Sequence, residues 1–158
     1  MSDELDFSNF PTSDQPVEGP IKDETDRMLD EVLLTLKLER AVIFVKGDGA
    51  WRVSSAHEVP TNNFWTVAPL SLGVVQSASE GQLVHLVDAG ASDQFGGRDS
   101  VILTGLRSVA CTPYTSPSGE VTAILYADNR IEKGAFSPDD VATLQELASE
   151  MGRRLFES

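Results

Sequence analysis

The stretch that most constrains the fold is the last third, residues 105–156, GLRSVACTPYTSPSGEVTAILYADNRIEKGAFSPDDVATLQELASEMGRRLF. Residues 106–113 and 120–128 read as two strands joined by the turn Ser116-Pro117-Ser118-Gly119. Asp128-Asn129-Arg130 closes the second strand. Ser137 then caps a helix, Pro138 fits its first turn, and Asp139 and Asp140 complement its dipole. Val141, Leu144, Leu147, Met151 and Leu155 form one apolar stripe along it.

The first half shows no internal repeat of this stretch but carries its own helix and hairpin signals. Met28, Leu29, Val32, Leu33 and Leu36 share a helical face, and Asp23, Glu24 and Asp26 sit near its start, which predicts a helix over 23–38. Residues 41–46 and 51–56 form a hairpin around Gly47-Asp48-Gly49, whose glycines supply positive-φ positions. Residues 60–69 are irregular and carry Phe64 and Trp65. Ser71 caps a short helix to about residue 79 with Gly81 as its stop, and 83–87 is a further strand. Residues 89–98 form a loop of small and turn-forming residues, followed by a short helix over 99–104.

Residues 1–20, with three prolines and few large apolar side chains, cannot offset their ordering entropy and are expected to be a flexible acidic tail before a domain over 21–158. Phe7 and Phe10 are its exceptions, either incidental or a short docking motif. At 158 residues the chain is long enough for one core. Its net charge of −13, from 25 acidic and 12 basic residues, repels phosphodiester backbones and anionic membranes. Nucleic-acid and membrane partners are therefore not expected. No apolar run approaches the ~20 residues of a membrane span, and the acidic start is unlike a signal peptide, so a cytoplasmic location is expected. The single cysteine, Cys111, allows neither an internal disulfide nor a thiolate zinc cage.

The order of these segments, and several short motifs within them, resembles the GAF domains of bacterial signalling proteins. Leu106-Arg107-Ser108-Val109 followed by Pro113 is similar to one family strand, and Gly119-Glu120-Val121 through Tyr126-Ala127-Asp128-Asn129-Arg130 to the next. Phe136-Ser137-Pro138-Asp139-Asp140 resembles the family's helix entry, and residues 71–88 its unit of short helix, Glu-Gly, strand and Asp. The resemblance implies an α/β, GAF/PAS-like fold. A central antiparallel sheet of five or six strands would carry the N- and C-terminal helices on one face, with short helices and loops on the other.

It also implies a ligand pocket beneath those loops, for which Trp65, Phe95, Arg98, Ile102 and Cys111 are the candidate contacts. Gly96-Gly97-Arg98, with the helix start behind it, could hold a small anion, or be only a turn. Cys111 shares a strand face with Val109 and reads as a small core residue, with redox sensing or tetrapyrrole attachment as alternatives. The Cys-His pair of bilin-binding members is absent. Asn129, Arg130, Phe136 and Asp140 partly match the cyclic-nucleotide signature of some members, but Val141 stands where that signature has Glu, and strand-end and capping duties explain the same residues. His57 and His85, 28 residues apart, lack the ordered companions of a metal site. No metal site is expected, and no cofactor is identified.

Three functions remain open. The first is a non-catalytic small-molecule sensor or adaptor that regulates a partner signalling protein. It would homodimerise through its two long helices, with Met28, Leu29, Leu36, Met151 and Leu155 as interface candidates. The second is a ligand-free protein–protein interaction module. The third, an enzyme, is a free methionine-R-sulfoxide reductase, whose chemistry needs a thiolate and a resolving cysteine; the chain has Cys111 alone.

Overall fold

A computed structural model describes residues 11–13, 15–36, 38–58, 72–86, 108–129 and 136–157. Helix α1, Pro20–Thr35, starts three residues before the expected position. Gly19, at φ 75°, turns the chain, and Pro20 takes the first helical turn, where its missing N–H costs nothing. Strands β1, Arg40–Gly47, and β2, Ala50–His57, form the expected hairpin. Its two-residue loop, Asp48-Gly49, has positive φ at both positions, matching the strands' right-handed twist.

Helix α2, Leu72–Ser79, leads to the short strand β3, Val84–Leu86. Strands β4, Ser108–Thr115, and β5, Val121–Asn129, form the second hairpin, and helix α3, Pro138–Phe156, closes the fold. The N-terminus of α3 carries the expected capping box. Ser137 Oγ accepts from Asp140 N–H at 3.0 Å, and Ser137 N–H donates to Asp140 Oδ2 at 2.9 Å. The short helix expected over 99–104 lies outside the described residues.

The strands form one antiparallel sheet in the order β2-β1-β5-β4-β3. Each face has its own apolar layer because alternate side chains point to opposite faces. Ala41, Ile43, Ala110, Ala123, Leu125 and Ala127 meet α1 and α3, through Met28, Val32, Leu144, Ala148 and Met151. Val42, Phe44, Val109, Cys111, Ile124 and Tyr126 meet Val74, Val75 and Ala78 of α2.

Two bulges adjust this alternation. Thr122 is the extra residue in β5, which moves Val121 to the α2 face although Ala123 lies on the other. Ser54 is the extra residue in β2. Ser54 and Ser55 consequently both turn toward α1, where their hydroxyls meet Thr25 Oγ1 at 2.6 and 2.8 Å. Ser55 Oγ also donates to Asp26 Oδ1 at 2.5 Å.

The first residues of the described chain are not a free tail. Trp51 N–H donates to Pro11 O at 2.8 Å and Ser13 N–H donates to Trp51 O at 2.9 Å. Residues 11–13 thus lie parallel to the outer edge of β2.

Candidate functional site

The α2 face of the sheet becomes ionic at one end. Arg40 opens β1 and stands directly across from Asp128 on β5. Its Nε and Nη2 donate to Asp128 Oδ1 and Oδ2 at 2.9 and 2.7 Å, a bidentate pair. The two side chains are 5% and 0% exposed, so the pair is buried within the fold. Tyr126, two residues before Asp128 and hence on the same face, donates its hydroxyl to Asp128 Oδ2 at 2.5 Å.

Burial raises the Asp128 carboxyl above its ordinary range, against the pull of the Arg40 guanidinium and the Tyr126 hydroxyl. Burial also pushes the Tyr126 phenol well up, and the neighbouring Asp128 charge adds to this. A guanidinium does not deprotonate in proteins, and a phenol shifted upward is no base at neutral pH. At neutral pH the corner therefore offers no ready proton acceptor besides an already saturated carboxylate.

Cys111 lies across from Tyr126 and Val84 in the neighbouring strands and has no exposed surface. It shares the apolar cluster of Val109, as the alternation predicts, and that cluster includes Val74, Val75 and Ala78 of α2. Burial pushes its thiol far above the ordinary range, so the thiolate needed for nucleophilic or redox chemistry is suppressed. The other four candidate ligand contacts, Trp65, Phe95, Arg98 and Ile102, lie outside the described residues.

His85 Nε2 sits 2.9 Å from Phe136 O, which ties strand β3 to the start of α3. His57 ends β2. Among the described residues no group of His, Cys, Asp and Glu could hold a metal ion. A shallow depression on the outer face of α3 is lined by Ala142, Gln145, Glu146, Ser149, Glu150 and Arg153. All six belong to one helix, so no second element brings a polar group toward a common point.

The helix-interface candidates lie largely within the chain's own core. Met28 and Met151 have no exposed surface, and Leu29 and Leu36 are 8% and 6% exposed. All four pack into the chain's own core, and Leu155 is partly buried against the same cluster. The physical reason is the width of each stripe: contact with the sheet and with the other helix consumes it. Among the described residues the large apolar side chains left exposed are Leu34, at 87%, and Ile21, at 37%.

Charges join the two helices along their outer seam. Arg27 pairs with Glu24 at 2.7 Å and approaches Glu150 at 3.8 Å, while Arg154 pairs with Glu150 at 2.7 Å and approaches Glu24 at 3.9 Å.

The Arg40–Asp128–Tyr126 corner is what sequence reasoning missed. The available signals were Tyr-x-Asp at strand spacing, which puts both side chains on one face, and an arginine immediately before an apolar strand. Their pairing spans 88 residues and only the sheet register reveals it.

Solved structures share this architecture. The GAF domain region of a Geobacter sulfurreducens protein titled a membrane protein is 18% identical, with a TM-score of 0.68 over 87% of this chain and 94% of that one. The GAF domain of a two-component sensor histidine kinase from Bacillus halodurans is 18% identical, with a TM-score of 0.57 over 81% and 88%. A type II free methionine-R-sulfoxide reductase from Thermoplasma acidophilum is 15% identical, with a TM-score of 0.63 over 86% and 94%. At such identities the likeness concerns the fold alone. No curated protein sequence matches. The GAF domain family model matches residues 21–155, all five strands and nearly the whole of the three helices, and the chain belongs to the GAF domain family.

Proposed function

We propose that this chain is a non-catalytic signalling module, a small-molecule sensor or adaptor that dimerises and regulates a partner protein. The observation that carries the reading is the buried Arg40–Asp128–Tyr126 corner at the end of an otherwise apolar sheet face. A buried ion pair is a weak source of stability, because desolvation offsets most of its attraction. Its retention on the α2 face fits a corner that orients a polar group, either of a ligand or of the segments that cover the sheet. Trp65, Phe95, Arg98 and Ile102 are the proposed ligand contacts from those segments. Cys111, buried in the same apolar cluster as α2, is the fifth proposed contact. A cytoplasmic location and a signalling partner go with this reading.

That packing also favours a second reading, an interaction module with a filled pocket, because Val74, Val75 and Ala78 of α2 pack in one buried cluster with Cys111. Reductase chemistry has less support: the one thiol is buried and held protonated. Native mass spectrometry of the protein purified from its own host, under non-denaturing conditions, separates the first two. A reproducible added mass is expected for a sensor. A bare species supports the filled-pocket module instead.

A further inference from the structure

The outer edge of β2 carries a short added strand. Pro11 O and Ser13 N–H make two backbone hydrogen bonds to Trp51, at 2.8 and 2.9 Å, in a parallel bridge centred on Thr12. The Trp51 side chain is buried on the α2 face, with the Lys46 ammonium 6.0 Å from its ring centroid, so the acceptor position is rigid. By contrast, none of residues 11–13 belongs to either apolar cluster, and Pro11 is exposed. The segment is therefore held at this edge by backbone pairing.

The connection to the fold is a hinge by its composition. Residues 15–18 have no regular structure, Pro16 stiffens them, and Gly19 turns the chain at φ 75° with open space around it. α1 begins immediately afterwards and is anchored to β2 by the Thr25, Ser54 and Ser55 hydroxyls. A short strand on such a tether makes the same contacts with its own edge or with that of a second copy; only the hinge differs.

We propose that residues 11–13 are an exchangeable arm, and that the β2 edge of one copy accepts the arm of a second copy to form a swapped dimer. The occupant is argued from complementarity already present: this segment fits this edge. The need is argued from the helices, whose apolar stripes are spent inside the chain. Because the tethered arm competes at high effective concentration, exchange rises with protein concentration. The proposal rests on the dimer component of the reading above.

Ser13→Pro tests it, since it deletes the N–H that donates to Trp51 O and touches no core residue. A second variant deletes Pro16 and Val17, which shortens the hinge's reach by about 7 Å and hinders docking onto the chain's own edge. Native mass spectrometry across concentration, with hydrogen exchange at the Trp51 amide, reads both. The full chain should show a concentration-dependent dimer. Ser13→Pro removes the same bond from the self-docked and the swapped forms, so alone it should leave their balance nearly unchanged. Added to the hinge deletion, which bars self-docking, it should weaken the dimer about fivefold or more, the effect of one lost hydrogen bond. The hinge deletion should strengthen it while the Trp51 amide stays protected. A dimer of the hinge deletion that is indifferent to Ser13→Pro overturns the arm and leaves dimerisation standing. Monomers from all three proteins, with a fast-exchanging Trp51 amide in the deletion, overturn both.

Discussion

The two faces of the sheet are both buried, yet they are built to different ends. The face under α1 and α3 combines its apolar cluster with buried but uncharged hydroxyls, those of Thr25, Ser54 and Ser55, which bond one another, and its ion pairs lie along the exposed seam. The face under α2 carries a fully buried ion pair in addition to its apolar cluster. Apolar residues of similar volume often stabilise a face as well as a buried ion pair does. The contrast places structural duty on the helix-pair face and the proposed recognition on the α2 face.

The largest expected effect tests that division directly. Asp128→Ala leaves the Arg40 guanidinium buried without its carboxylate and should cost about 3–5 kcal/mol of stability in urea unfolding. Replacing the two residues together, Arg40→Met with Asp128→Leu, should recover most of that loss. If the double variant is as unstable as Asp128→Ala, the pair is structural and the contrast between the faces fails.

On the helix-pair face the sharpest test is Gly152. A methyl group there would intrude on the Tyr114 ring, which stacks on Phe156 at 6.1 Å between centroids and whose hydroxyl donates to Glu157. Gly152→Ala should therefore destabilise by about 1–3 kcal/mol, despite alanine's better helix propensity. A stabilised variant would show that α3 sits less tightly on β4 than this packing implies.

Alkaline pH should act through the α2 face. Cys111 and Tyr126 have folded pKa values raised above their ordinary values of 9.0 and 10.0, so the folded state holds their protons where the unfolded chain releases them. Stability is then complete below about pH 9 and falls as pH rises beyond it. Unfolding midpoints at pH 7 and 10.5 measure the fall, and Cys111→Ala with Tyr126→Phe should flatten it. A thiol reagent at pH 8 should label Cys111 only when the protein unfolds.

The smallest effect belongs to the exposed seam. Arg154→Ala removes contacts to Glu150 and Glu24 and should cost under about 1 kcal/mol, less at high salt. A larger loss would make the seam, rather than the apolar stripe, the main link between the helices.

Much of the fold was legible because its signals are local. The Asp48-Gly49 turn, the Ser137–Asp140 capping box and the stripes of α1 and α3 each lie within a few residues of chain. The start of α1 was legible too, in Gly19-Pro20, but the acidic cluster at 23–26 pointed three residues later. What stayed hidden depends on register between distant strands. The Ser54 bulge, the Arg40–Asp128 pair and the docking of residues 11–13 on Trp51 have no local mark. An apolar stripe likewise announces that it will be buried, not by what.

Hydrogen exchange on the protein purified from its own host, before and after unfolding and refolding to strip bound small molecules, tests the contrast between the faces most directly. The account expects stripping to speed exchange in α2 and in β4 and β5 near Cys111, Tyr126 and Asp128, with α1 and α3 unchanged. Identical exchange in both preparations, or a change confined to α1 and α3, would contradict it.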